Sequence, residues 1–187
     1  MSEPWLCVEC GGTVFHTLKC PVAKLLRGSW CTPKWLADLI GRVELDPCSN
    51  ERSRIDTAQR CTGRGQLDDG LRAIVPAVWR VFINPPYGPG EVVKWVRHYR
   101  HTCFIFLLRW DPSTEWFDEL IGHCTHVWFP AGRRVNFEPP PRIESSSATF
   151  PHALFLRAPT PELLTRLGAA GRIFVGIPTP LPPLSST

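Results

Sequence analysis

A chain of 187 residues that is 43% hydrophobic can bury one sizeable core, with room for a small appendage but not for a large second domain. Its formal net charge of +4 permits a nucleic-acid partner without demanding one, because a basic groove can hide within a modest total. No apolar run approaches the roughly 18 residues of a membrane-spanning helix, and Met1-Ser2-Glu3-Pro4 lacks the basic and apolar regions of a signal peptide, so a cytoplasmic protein without a membrane partner is expected.

In chain order, residues 1–28 are a cysteine-bearing segment. Cys7 and Cys10, the Gly11-Gly12 turn, His16 and Cys20 bring together four soft ligands that can close a small zinc knuckle, with Cys31 as an alternative fourth ligand. The plainer account is a loosely packed tail with incidental cysteines. Cys31, Cys48, Cys61, Cys103 and Cys124 are scattered and, in a cytosolic chain, are expected as reduced thiols without disulfides.

Residues 29–177 carry the main pattern. Thr32 is a good N-cap and Pro33 a good first helical residue, and Trp35, Leu36, Leu39 and Ile40 recur at helical spacing behind them. Gly41 to Leu45 reads as a short strand that halts at Asp46, followed by Pro47, Cys48, Ser49 and Asn50. No G-x-G-x-x-G follows it, so a phosphate-cradling dinucleotide site is not signalled; a carboxylate there suits a cationic amino group, although an aspartate that ends a strand is also an ordinary turn former. Glu51 to Gly70 is polar and contains glycine. It ends in Leu67-Asp68-Asp69-Gly70-Leu71, whose paired acids can accept from ribose hydroxyls or an adenine amino group.

Val78 to Ile83 is a β-branched and aromatic run, a buried strand ended by Asn84-Pro85-Pro86-Tyr87 and the Gly88-Pro89-Gly90 turn. A helix is expected from Glu91 to His101, a buried strand over Cys103 to Leu108, a helix over Pro112 to Gly122 and a strand over Cys124 to Phe129. His123 and His126 flank that strand as structural residues. Gly132 to Phe137 and His152 to Arg157 read as an antiparallel pair joined by a mobile loop over Glu138 to Pro151. Pro161 to Ala170 reads as a helix and Arg172 to Ile177 as a last strand, and residues 178–187 form a Pro-rich tail. Strands alternating with helices imply an α/β fold with a mostly parallel sheet.

The Asn84-Pro85-Pro86-Tyr87 stretch carries a distinct chemistry. Two prolines donate no N–H, and Pro85 holds Asn84 extended, so local carbonyls point away from any ladder. The Asn84 amide oxygen and the Pro85 carbonyl can then accept from one exocyclic NH2, with the Tyr87 ring stacked on the base that carries it. An aromatic amine is a weak nucleophile because its lone pair is delocalised; two acceptors on its hydrogens favour a pyramidal nitrogen that can attack a methyl donor. Asn84 has no useful basicity, so the proton leaves after transfer.

Trp30-x-Thr32-Pro33, Leu45-Asp46-Pro47-Cys48 with Asn50, Asp68-Asp69-Gly70-Leu71, Phe82-x-Asn84-Pro85-Pro86-Tyr87-Gly88 with Trp95, Trp116-Phe117 and Gly132-Arg133 occur in this order. From about Trp30 to Leu156 the chain resembles the phage-type Dam family of DNA N6-adenine methyltransferases. Cys31 departs from it, standing where an aromatic is more usual. The resemblance implies a minimal Rossmann-like methyltransferase fold, with helices on both sheet faces and S-adenosylmethionine as methyl donor. It implies Trp30, Thr32, Pro33, Asp46, Pro47, Cys48, Asp68, Asp69 and Asn84 as cofactor-binding residues, with Asp46 and the Thr32-Pro33 turn near the methionine end and Asp68 or Asp69 near the adenosine. Asn84, Pro85, Pro86 and Tyr87 form the catalytic motif, acting on an adenine flipped from double-stranded DNA. Arg133, Arg134 and Arg142 are expected to contact the DNA backbone. A monomer in the cytoplasm of a bacterial host cell is expected. The alternatives are N-methylation of RNA or of a protein glutamine, or a non-catalytic zinc-knuckle nucleic-acid-binding protein on a degenerate methyltransferase core.

Overall fold

The computed structural model describes residues 30–61, 69–140 and 148–176. Helix α1 (Lys34–Ile40) precedes strand β1 (Val43–Asp46) and strand β2 (Thr57–Arg60), and a 3-10 turn (Gly70–Arg72) leads to strand β3 (Arg80–Ile83). Helix α2 (Glu91–Tyr99), strand β4 (Cys103–Arg109), helix α3 (Glu115–Ile121) and strand β5 (His126–Pro130) follow, then strand β6 (His152–Leu156), helix α4 (Pro161–Ala170) and strand β7 (Gly171–Val175). The strands form one seven-stranded sheet in the order β2-β1-β3-β4-β6-β5-β7.

The pairs β1–β2, β1–β3 and β3–β4 are parallel, whereas β6 runs antiparallel to both β4 and β5, and β7 antiparallel to β5. Strands β1 to β5 therefore share one direction and β6 and β7 oppose it. The architecture is α/β on a mixed sheet, with its parallel half at the β2 end.

Alternation along the central strands shows why it is closed on both faces. Phe104, Phe106 and Leu108 of β4 join Val81, Ile83, Val127, Ala153 and Phe155 in one cluster with Val92, Trp95, Val96 and Tyr99 of α2 and Trp116, Phe117 and Leu120 of α3. Ile105 and Leu107 join Phe82, Trp128, Leu154 and Leu156 in the other, with Leu36, Ala37 and Ile40 of α1 and Leu163 and Leu167 of α4. Side chains of successive strand residues point to opposite faces, so the unbroken apolar run of β4 serves two cores. Each fully buried Leu, Ile or Phe contributes about 2 kcal/mol of transfer free energy, which makes β4 the element whose truncation costs most.

Three sequence expectations are corrected. Gly132 to Phe137 is not a strand. Its continuation makes a single antiparallel bridge, Glu138 to Cys31, and β6 pairs instead with β4 and β5. The helix after Thr32-Pro33 begins one residue later than its cap signal: the Pro33 carbonyl accepts from Leu36 and Ala37, so Pro33 is the N-cap, and Thr32 makes no capping hydrogen bond. The free Lys34 N–H finds Glu138 Oε1 at 3.2 Å, a distant carboxylate supplying what the local cap does not. Finally, β2 lies within a stretch read only as polar. As an edge strand it exposes Ala58, Gln59 and Arg60, so it has no apolar face to announce it.

The Arg97, His98 and Arg100 group of α2 is committed to holding helices and loops together. Arg97 meets Glu115 at 2.7 Å and Arg100 meets Glu119 at 2.6 Å, tying α2 to α3, and His98 Nε2 lies 3.0 Å from the Ala73 carbonyl. Cys48, Cys103 and Cys124 are free thiols. No helix among the described residues is long and apolar enough to cross a membrane.

Candidate functional site

Because β1, β3, β4 and β5 run in the same direction, the residues after Asp46, Ile83, Arg109 and Pro130 emerge on one edge of the sheet. Strand order reverses at β1, which has β2 on one side and β3 on the other. Such a switch point opens a crevice at the carboxyl ends of the strands, and Asp46 and Asn84 stand on its two sides.

The Asn84 side chain is half-buried and has no hydrogen-bond partner among the described residues. Its backbone N–H is directed at the Cys48 sulfur, whose thiol pKa burial pushes well up. Pro85 is buried while Pro86 is exposed. Tyr87 divides in two: its hydroxyl is tucked against the Leu107 carbonyl at 3.5 Å, while the residue as a whole is 42% exposed. Burial of that hydroxyl raises its pKa, so the phenol stays neutral and the exposed part is ring. His152 holds the ring edge-on at 6.4 Å, and Phe137 packs on His152 at 5.0 Å. Desolvation pushes the His152 imidazole down to about 4, which keeps this support uncharged near neutral pH. The Gly88-Pro89-Gly90 turn then ends at Gly90, the N-cap of α2, with φ of 69°. A left-handed cap of this kind strains any residue with a Cβ.

Asp46 is 3% exposed. Its Oδ2 accepts from the Ser53 hydroxyl at 3.0 Å and its Oδ1 from the Cys48 N–H at 3.3 Å, while its backbone carbonyl accepts from Cys61 N–H at 3.1 Å. The carboxylate therefore organises the loop of residues 47–53. Desolvation, offset in part by Ser53, Ser49 and the Cys48 N–H, lifts its pKa to about 6. A carboxyl whose folded pKa exceeds its unfolded value holds more protons when folded, so stability falls as pH rises from about 3.8 to about 6. Asp46→Asn is expected to gain stability relative to the parent across that window, by about 3 kcal/mol in total, with no further change above it. Urea titrations of both proteins at pH 4, 5, 6 and 7.5 would check this; a pH-independent difference would show that the carboxyl is not ionising there.

The segment ending in Asp69-Gly70-Leu71 packs beneath the loop after β1. A Cβ on Gly70 would collide with the Pro47 carbonyl and the Trp95 ring, and the Gly70 carbonyl accepts from the Tyr99 hydroxyl at 2.5 Å. Asp69 caps the 3-10 turn, its Oδ1 accepting from Leu71 N–H at 3.0 Å, and its Oδ2 lies 3.5 Å from Arg72. Asp68 lies outside the described residues. On the other side, Cys31 Sγ donates to Asn50 Oδ1 at 3.4 Å, Thr32 is 5% exposed, Pro33 is buried and Trp30 is half-buried. The stretches 30–33, 46–50, 69–71 and 84–87 thus meet along a single edge.

The arginines divide. Arg133 stacks its guanidinium over the Trp35 ring at 3.8 Å, and Arg134 Nη1 donates to the Ala148 and Thr149 carbonyls at 2.7 and 2.9 Å. Both follow β5 and remain exposed, but Arg134 is partly engaged in fastening the chain after β5 to the segment before β6. Arg142 lies outside the described residues, as do Cys7, Cys10, His16 and Cys20. Among the described residues no group of three or more His, Cys, Asp or Glu could hold a metal ion. His126 Nδ1 lies 2.9 Å from Thr125 Oγ1 and His123 is half-buried, in keeping with structural roles.

Sequence reasoning missed Glu138, Arg109 and His152. Glu138 joins the Cys31 backbone, Lys34 N–H and Arg54, and nothing in the local pattern marks it. Arg109 and His152 are register partners on β4 and β6; the polar end of an otherwise apolar strand was the one available signal.

No protein-family model, no curated protein and no solved structure matches this chain.

Proposed function

We propose that this chain has a minimal Rossmann-like methyltransferase fold and transfers a methyl group from S-adenosylmethionine to the exocyclic N6 of adenine in double-stranded DNA. The observation that carries the reading is Asn84: an amide with no partner among the described residues, at a strand's carboxyl end on the switch point, followed by a buried proline and an anchored tyrosine whose ring is open.

The residues along the edge fit the methyl donor. Trp30, Thr32, Pro33, Pro47, Cys48 and Asp69 would hold the donor along this edge, and Asp46 keeps the β1 loop in shape through Ser53 and the Cys48 N–H. When bound, S-adenosylmethionine supplies an electrophilic methyl group. The chain's own groups do the rest. The Asn84 amide oxygen and the Pro85 carbonyl accept the two hydrogens of the adenine amine, and Tyr87 offers its ring as a stacking platform that His152 keeps edge-on. Neither Asn84 nor neutral Tyr87 can take up a proton near pH 7, so the proton is lost from the cationic product amine to solvent.

Incubating the protein with the tritiated cofactor and, separately, duplex DNA, RNA and whole-cell protein tests the reading. Label is expected in duplex DNA, released on nucleoside digestion as N6-methyladenine. Label in RNA or protein alone would redirect the proposal to another amine, and none in any substrate would count against catalysis.

A further inference from the structure

We infer that Arg109 is a positioning residue that grips the DNA phosphate beside the flipped adenine, an inference that rests on the adenine reading above. A cavity of about 510 Å³ opens beside the catalytic motif, between Tyr87, Gly88, Pro89 and Gly90 on one wall and Trp116 on the other, with Arg109 at its end. Arg109 is the last residue of β4, the parallel neighbour of β3, and the Tyr87 hydroxyl rests on the same stretch of β4. The guanidinium therefore starts from the strand that anchors the stacking ring and reaches the same cavity as Tyr87.

Its donors are under-used. Nη2 meets Asp111 Oδ2 at 3.1 Å and the guanidinium lies 5.7 Å from the Phe150 ring centre, whereas Nε is buried and has no hydrogen-bond partner among the described residues. Its register partner His152 carries a buried Nδ1 that is likewise unpartnered. Leaving a buried polar atom unpaired is costly, so the resting position of Arg109 is not its best one. A side chain 34% exposed that swings from Asp111 towards the cavity can offer its guanidinium to an oxyanion, above all the two free oxygens of a phosphodiester.

The charges around the cavity permit the exchange. Asp111 also accepts from the Ser113 hydroxyl at 2.6 Å and from its N–H at 3.4 Å, so Arg109 can leave it without stranding the carboxylate. Glu115, the acidic residue on the cavity wall, is paired with Arg97 at 2.7 Å. Neutral His152 adds no competing charge. Arg133 and Arg134 lie after β5, their guanidinium groups stacked on Trp35 and bound through Nη1 to the Ala148 and Thr149 carbonyls, and neither lines this cavity.

The test is a cycle between protein and DNA. Arg109→Ala and the parent are compared for binding and methyl transfer on a duplex oligonucleotide, either unmodified or with a single uncharged methylphosphonate placed in turn at each phosphate flanking the target adenine. Arg109→Ala is expected to weaken binding of the unmodified duplex at least about tenfold, with cofactor affinity unchanged. One methylphosphonate position should weaken the parent by a similar factor and leave Arg109→Ala unaffected. Losses that multiply at every position overturn the inference, because a merely structural defect would not be tied to one phosphate. If the parent binds DNA and shows this coupling but transfers no methyl group, the adenine reading fails while the phosphate contact stands. A parent that binds no duplex overturns both.

Discussion

Asn84→Ala is expected to reduce methyl transfer to duplex DNA by at least about a hundredfold in kcat while changing cofactor affinity by no more than a few-fold. The reason lies in what the side chain does before substrate arrives. It has no hydrogen bond among the described residues, so its removal breaks none there. Its backbone N–H, directed at Cys48, survives the substitution and keeps the β3 terminus joined to the β1 loop. On the proposed reading what would be lost is an acceptor for the reacting amine, and an interaction made mainly in the transition state shows in kcat. Calorimetry with the cofactor and single-turnover transfer, run side by side, measure the two quantities. An equal loss in both would mean that Asn84 holds the cofactor instead of the amine. Asn84→Asp would sharpen the result, since it retains an acceptor at the same place but introduces a charge.

Gly70→Val should have the largest effect on stability of any single change near the site, about 3 kcal/mol, towards the upper part of the range for overpacked positions. The Cβ has nowhere to go: one neighbour is the Pro47 backbone carbonyl, which cannot rotate aside, and another is the Trp95 ring, itself buried against Tyr99. Relief requires the 3-10 turn to lift from the β1 loop, which would also break the Tyr99 hydroxyl bond to the Gly70 carbonyl. Cofactor binding is therefore expected to weaken along with the unfolding midpoint, in contrast to Asn84→Ala. Urea denaturation monitored by tryptophan fluorescence reads the first effect and calorimetry the second. A variant as stable as the parent would show that the two loops are not packed as described.

The strands that carry the motifs were legible in the sequence because their signals are local. The run before Asn84 is β-branched and aromatic, and two prolines must end it; Cys103 to Leu108 is apolar throughout because both of its faces are covered. The extended backbone of Asn84-Pro85-Pro86-Tyr87 could likewise be read from four residues, since prolines restrict the backbone whatever surrounds them. Tertiary structure decided what those residues face. Asp46 was read as a ligand for a cationic group from its place at a strand end; its burial and its hydrogen bonds to Ser53 and the Cys48 N–H were decided by the fold, since no local pattern reports on burial by a loop that folds back. The partner of β6 was assigned to the nearest preceding segment, whereas pairing is settled by which strand offers a matching apolar face, and β4 and β5 do so. Gly70 reads as an ordinary turn glycine until Pro47 is placed above it. Arg109 reads as the polar end of an apolar strand until the antiparallel register puts His152 opposite and the cavity beside it, because proximity between distant segments is a property of the folded sheet alone.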